Sequence, residues 1–384
     1  MNKQHQLAEI NNSGKAYIIY KSKKGFNLYT DFSKKIILNN KNIEDFLKKK
    51  FKNKTKKTDL FIGFLGYELL NNLINVKIPR QKNINFPRGI FYKPEKIINF
   101  NNNLKYKNTK DERNGDFKIN INKNSYTKIF DKFKKKIKSG ETYQIKICTK
   151  YKTKSKINPL DFFTRLSKTN LAPEAFMIKD KNYSIISCSP ENLITKKGSE
   201  ISTKPIAGTV KKTKSLNKTK ALKYFKKNIK ETKEHNMIVD MERNDLSRVC
   251  KVGSVKLSKQ KIVEEYKDLF HYVSLIKGKL KKDIKNIDII KAMMPGGSVI
   301  GCPKISTLNL LNKQEKENRN IYTGSFGYIK FNGDMRFNII IRSILNFKNF
   351  SEISVASGVV VDSNSSHEFN ENFIKAKALI DLFK

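Results

Sequence analysis

No stretch of this 384-residue chain reaches the about 18 consecutive apolar residues of a membrane-spanning helix. The opening MNKQHQLAEI lacks the apolar core of a secretory signal, so a cytoplasmic setting is expected. Glycine (18) and proline (9) are sparse, which excludes a collagen-like or linker protein. Cys148, Cys188, Cys250 and Cys302 are widely spaced with no CxxC pair. That argues against a disulfide framework or a structural zinc site. Two catalytic signatures are also missing, the GxSxG of an exposed serine nucleophile and the GxxxxGK[ST] phosphate loop. Acidic residues are scarce, 35 against 79 Lys and Arg, for a net charge of +44. Such an imbalance raises a basic nucleic-acid-binding protein as one reading. The excess is mostly lysine, however, scattered among Asn and Ile and not interleaved with aromatics in one stripe. A solvated lysine-rich surface is therefore expected, with neither nucleic acid nor a membrane as partner.

What the chain does have is bulk for a sizeable core, with 25 Phe and 15 Tyr. Ala16–Tyr20 and Leu60–Leu65 read as strands, and the polar stretch Asn101–Asp116 reads as a surface loop. It divides the chain into an amino-terminal part, 1–115, and a larger region, 116–384. Tyr126, Ile129, Phe130, Phe133 and Ile137 share one helical face that ends at Ser139-Gly140. Tyr143, Ile145, Ile147 and Tyr151 then alternate with Gln144, Lys146, Cys148 and Lys150, as in a half-buried strand. Further strands are expected at Tyr183–Ser187, Tyr322–Lys330, Phe337–Leu345 and Ile353–Val361. Helices are expected at Lys218–Lys230, Ile287–Met293, Lys304–Leu311 and Glu368–Phe383, the last burying Phe369, Phe373, Ala376 and Ile380. Strands and helices mix without a βαβ rhythm, which indicates an α+β fold.

Chemistry-bearing residues are few. Glu231 and Glu234 are three apart, as are Glu368 and Glu371. On helices each pair points to neighbouring spots. Two facing pairs would suit Mg²⁺, a hard cation; the alternative is surface glutamates paired with lysines. Met294–Lys304 is a glycine-rich loop entering a helix, either an anion cradle completed by Lys304 or a structural turn. Arg342 stands inside an apolar run and requires an anion, either internal or from a substrate. His271 lies among apolar neighbours.

Eight stretches, in order, resemble the chorismate-utilising enzymes: anthranilate synthase large subunit, aminodeoxychorismate synthase component I, isochorismate synthase and salicylate synthase. They are Gly140–Gln144, Ser189–Leu193, Lys204–Thr209, Glu234–Leu246, Pro295–Lys304, Tyr322–Tyr328, Gly333–Arg342 and Gly358–Glu371. Together they cover about residues 125–384. The resemblance implies large antiparallel sheets packed with helices around one cleft that binds chorismate and Mg²⁺. It places Glu234 and Glu371 on the metal, with Glu231 and Glu368 behind them through water. Lys304, Tyr328, Arg342 and Gly358 would hold the substrate carboxylates, and Gly208 and Thr209 belong to the same site. Glu191 would be the acid that helps the C4 hydroxyl leave, with His271 near the ring.

Gln144 stands where the water-adding members carry a lysine base. The resemblance therefore implies ammonia as nucleophile, supplied by a glutamine amidotransferase partner. Ala207 stands where typical aminodeoxychorismate synthases carry a lysine that attacks C2, and alanine there is the anthranilate-synthase signature. Gly296-Gly297-Ser298, Phe337-Asn338-Ile339 and the short amino-terminal part resemble the aminodeoxychorismate group instead. The expected activity is aminodeoxychorismate synthase component I, with anthranilate synthase component I as the alternative.

Overall fold

The computed structural model describes residues 3–22, 24–51, 56–76, 78, 86–100, 104, 106, 115–170, 172–213, 215–266 and 269–384. Most of the expected Asn101–Asp116 loop lies outside them. The amino-terminal part supplies β1 (Tyr17–Ser22), β2 (Gly25–Leu38), β3 (Leu60–Leu65) and β4 (Gly89–Phe100), with α1 (Lys3–Asn12), α2 (Ile43–Lys48) and α3 (Tyr67–Leu73). The two-residue β5 (Lys118–Ile119) precedes α4 (Lys123–Lys138), β6 (Gln144–Lys154) and α5 (Pro159–Thr169). Then come β7 (Glu174–Lys179), β8 (Tyr183–Ser189), β9 (Asn192–Lys197), β10 (Glu200–Lys204) and β11 (Ile206–Lys211). Next are α6 (Lys218–Lys227), α7 (Ile229–Val249), β12 (Lys256–Glu265), β13 (Leu269–Lys279) and α8 (Asn286–Met293). The chain closes with β14 (Gly301–Cys302), α9 (Lys304–Gln314), β15 (Ser325–Lys330), β16 (Met335–Ile339), β17 (Ser343–Phe347), β18 (Phe350–Val359) and α10 (Ser365–Ile380).

These strands pair antiparallel into one continuous ladder. One half runs β6–β18–β17–β8–β7–β1–β2. The long β2 pairs with β4, which opens the other half, β4–β3–β15–β16–β9–β10–β13. β11 continues along the β10 side of β13, and β12 flanks its other side. The halves fold face to face. Ile18, Phe176, Ile178 and Ile185 of the first share a buried cluster with Ile62, Phe64, Ile90 and Phe326 of the second. Phe176 and Phe326 stack at its centre, ring centroids 3.7 Å apart. Each such ring contributes about 2 kcal/mol through apolar burial. α5 and α10 cover the outer face of the first half, and α7 and α8 that of the second. The fold is thus α+β with a large antiparallel sheet, as expected.

Local chemistry sets the ends of the elements. The Asn122 side chain caps α4 by accepting from Ser125 N at 2.9 Å, and Gly140 takes positive φ just past its end. Three expectations need correction. The helix expected at Lys218–Lys230 is two, because Asn228 ends α6 and its side chain caps α7 through Glu231 N. The strand expected at Phe337–Leu345 is also two, broken where Arg342 adopts φ 50°. On α10 the buried residues are Glu368, Asn372, Ala376 and Leu379, whereas Phe373 is 46% exposed. The helix therefore turns the Glu368 carboxylate inward beside Phe369, Ala376 and Ile380 of the expected stripe, and only Phe373 points away. Among the described residues no helix is long and apolar enough to cross a membrane, and all four cysteines are free thiols.

Candidate active site

The chain passes between the two half-sheets side by side at two points, β8 to β9 and β16 to β17. Glu191 sits at the first crossing and Arg342 at the second. Backbone bonds tie the crossings together, with Ile339 N donating to Glu191 O at 3.1 Å and Cys188 N to Arg342 O at 3.2 Å. Both side chains are thus fixed by sheet, not by a free loop. Glu191 is 5% exposed, and burial pushes its carboxyl up to about 7 despite a 2.6 Å hydrogen bond from Ser298 Oγ. That serine comes from the glycine-rich loop. A Cβ on Gly297 would lie 2.0 Å from Met241 Sδ, so the bare glycine lets this loop pack against α7. Among the described residues the Arg342 guanidinium has no ion-pair or hydrogen-bond partner, and burial lowers its pKa.

Facing Glu191 across the cleft is β6. Ile145 and Ile147 point outward onto α4 and α9. Gln144 and Lys146, on the alternate face, point inward toward Glu234. Gln144 Nε2 donates to Glu234 Oε1 at 2.9 Å, and Lys146 Nζ reaches the same oxygen at 3.1 Å. The Lys146 charge is the chief reason that the Glu234 carboxyl falls to about 2. Gly358 lies opposite Lys146 in the ladder. A Cβ there would come within 2.7 Å of Lys146 Nζ and 2.9 Å of Gln144 Nε2. The glycine's missing side chain is the space that both occupy.

α10 supplies further carboxylates. Glu368 is 1% exposed and accepts from Ser363 Oγ at 3.1 Å. Burial works to raise the Glu371 carboxyl, but the Lys375 ammonium 2.6 Å away prevails and lowers it. Glu368, Glu371 and His367 present ligand atoms within 4.8 Å of one another. Glu234 and Glu371 both bear on Lys146 and on Lys375, so carboxylates of α7 and α10 look onto the same volume. A hard oxygen set balanced by two ammonium groups fits a divalent cation such as Mg²⁺. Glu231 is turned to β11, where a Cβ on Gly208 would approach its Oε2 to 2.7 Å.

Among the other expected residues, Thr209 Oγ1 and His271 Nδ1 are 2.8 Å apart across β11 and β13. Burial, then Arg342, lowers His271 to about 4, which leaves it neutral. Ala207 lies at the register shift of β11, between Ile206 and Gly208. Two residues are placed apart from this group. Lys304 is held in a buried 2.6 Å ion pair with Asp245 and donates to Ala292 O, so its charge is matched within the protein. Tyr328 lines a second cavity of about 1190 Å³, with Tyr20 and Arg336. Lys146, Ser298 and His367 went unread in the sequence. Lys146 and Ser298 lie inside stretches already singled out, but nothing in the spacing marks them as inward-facing. Tyr322 also went unread; it is buried against Cys148, Ala356 and Ile341, one residue from Arg342.

The sequence profile of the family described as chorismate binding enzyme matches residues 6–381. The chain belongs to that family. Over 271 residues, 70% of this chain and 58% of the relative, it is 35% identical to aminodeoxychorismate synthase component 1 of Bacillus subtilis. Over 263 residues, 67% of this chain and 50% of the relative, it is 37% identical to anthranilate synthase component 1 of Arthrobacter globiformis. The aligned regions thus span only half to three-fifths of these relatives. The fold matches the crystal structure of anthranilate synthase component I from Streptococcus pneumoniae, with TM-score 0.76 at 24% identity, over 94% of this chain and 89% of that one.

Proposed function

We propose that the chain aminates chorismate with ammonia to give 4-amino-4-deoxychorismate, the precursor of 4-aminobenzoate for folate synthesis. A glutamine amidotransferase subunit would deliver the ammonia. One observation carries the reading: Glu191, a carboxyl raised to about 7, shares its corner of the fold with Arg342, whose guanidinium makes no hydrogen bond or close ion pair among the described residues. A hydroxyl leaves poorly unless protonated, and an acid with a pKa near neutrality is suited to protonate it. Arg342 would hold a carboxylate of the dianionic substrate. As the C4–O bond breaks, the hydroxyl takes the proton of Glu191 and departs as water. Ammonia forms the new C–N bond, and the proton it sheds restores Glu191.

Gln144 supports ammonia over water. A carboxamide cannot deprotonate water, but with Nε2 committed to Glu234 its oxygen remains to accept from the nucleophile. Mg²⁺, when bound, would neutralise substrate carboxylate charge; Glu234 and Glu371 would hold it, with Glu231 and Glu368 behind them. His271, neutral and bonded to Thr209, would line the ring without adding charge.

Ala207 favours a second reading, anthranilate synthase component I, in which ammonia enters at C2 and pyruvate is lost. Incubation with chorismate, Mg²⁺ and ammonium tests both. A product converted to 4-aminobenzoate by aminodeoxychorismate lyase supports the first reading. Direct formation of fluorescent anthranilate replaces it with the second, and failure to consume chorismate removes both.

A further inference from the structure

Lys146 is the hub of the cleft's charges. Its side chain is only 13% exposed, yet carboxylates from three separate elements act on its ammonium. They are Glu234 of α7, Glu371 of α10 and Glu191 at the first crossing. Its one close ion pair is with Glu234, through the oxygen that Gln144 also bonds. It lies over the bare Cα of Gly358, so the backbone beneath leaves the long side chain free to swing. Glu234 is also the carboxylate on which the proposed metal site depends. An ammonium and a divalent cation compete for that carboxylate, since each repels the other and the charge of one carboxylate cannot neutralise both.

We infer that Lys146 is a built-in competitor of the divalent cation for Glu234, and that arrival of the cation turns the Lys146 ammonium toward the anionic substrate. This rests on the metal-dependent chorismate reading above. In the metal-free protein Lys146 keeps the acidic cleft from flying apart. When the metal takes Glu234, the displaced ammonium remains tethered to β6 beside Gly358, facing the corner where Arg342 stands. It then supplies a second cation for a dianion. Metal binding and substrate binding are therefore coupled through one side chain. The metal is held more weakly alone than its ligands would allow, and the substrate recovers that deficit.

The test is a titration of Mn²⁺, followed by electron paramagnetic resonance, into wild type, Lys146→Met, Lys146→Arg and Glu234→Gln, without and with chorismate. Without chorismate, Lys146→Met should bind Mn²⁺ about tenfold more tightly than wild type, within the usual range of coupled sites. Lys146→Arg, which keeps the cation, should stay close to wild type. Chorismate should tighten Mn²⁺ binding to wild type and have a much smaller effect on Lys146→Met. If Lys146→Met binds Mn²⁺ no better than wild type while Glu234→Gln loses it, the competition is refuted and the metal reading stands. If neither wild type nor Lys146→Met binds Mn²⁺, the metal reading falls and takes this inference with it.

Discussion

Ser298 Oγ donates a 2.6 Å hydrogen bond to Glu191 Oε1 across 107 residues of sequence, and both groups are buried. The hydroxyl favours the charged carboxylate, but burial outweighs it and the carboxyl stays near 7. A carboxyl raised above its unfolded value of about 4.5 contributes stability below that pH and loses it as pH climbs through 7. The contribution is on the order of 3 kcal/mol. Glu191→Gln, neutral throughout, should match wild type in thermal midpoint near pH 4 and exceed it near pH 8. Equal midpoints at both pH values would contradict the raised carboxyl.

On the proposed reading, the same carboxyl sets the pH dependence of turnover. His271 and His235 are both lowered to about 4 by burial, so neither changes charge between pH 5 and 8. Rate per unit of free NH₃ should fall above about pH 7 as Glu191 loses its proton. Glu191→Gln should reduce the rate by about 10²–10⁴-fold. His271→Asn should leave the position of the alkaline limb unchanged. A limb that moves with His271 would reassign the acid.

Two glycine variants should part stability from activity. At Gly358 an added Cβ meets the far ends of Lys146 and Gln144, which can swing aside. Gly358→Ala should therefore fold with a nearly unchanged melting midpoint and lose most of its activity. At Gly63 the added Cβ would lie 1.9 Å from the backbone oxygen of Ile90, which cannot yield. Gly63→Ala should cost several kcal/mol and give little folded protein. Circular dichroism melts with parallel assays check both.

The carboxylate cage predicts a metal requirement. Chelator treatment should abolish turnover and Mg²⁺ restore it, while Glu371→Gln should stay inactive at any Mg²⁺ concentration. Full activity after exhaustive chelation would remove the cage from the mechanism.

Ala207 decides between the two products. If wild type makes aminodeoxychorismate, it does so without a covalent lysine at C2, and Ala207→Lys should speed that product. If wild type makes anthranilate, the lysine should block C2 and abolish it. Mass spectrometry of both reactions separates these outcomes.

The strands Leu60–Leu65 and Tyr183–Ser189 are legible as short apolar runs because both of their faces are buried, and the helix Lys123–Lys138 because its one buried face, Tyr126, Phe130 and Phe133, repeats at helical spacing. Legibility failed where the buried face is polar. On α10 the rule that apolar residues go inward selected Phe373, which is exposed, and passed over Asn372, which is buried. On β6 the alternation alone does not mark Lys146 as inward-facing, because a cleft and bulk water ask for the same residue types. Tyr328 belonged to a matching stretch, yet strand alternation sends it to the second cavity. Arg342 was expected inside one long strand, since apolar composition continues through the corner that separates β16 from β17.

That corner has a consequence for protein engineering. Arg342 holds φ 50°, a left-handed backbone that costs a residue with a side chain roughly 1 kcal/mol and costs glycine nothing. Its guanidinium is also mostly desolvated, a loss that the nearby Glu191 carboxyl offsets only in part. Both penalties vanish in Arg342→Gly, so a screen that rewards only heat resistance should enrich this replacement. On the proposed reading, the enriched protein would fold more firmly and lose its hold on a substrate carboxylate.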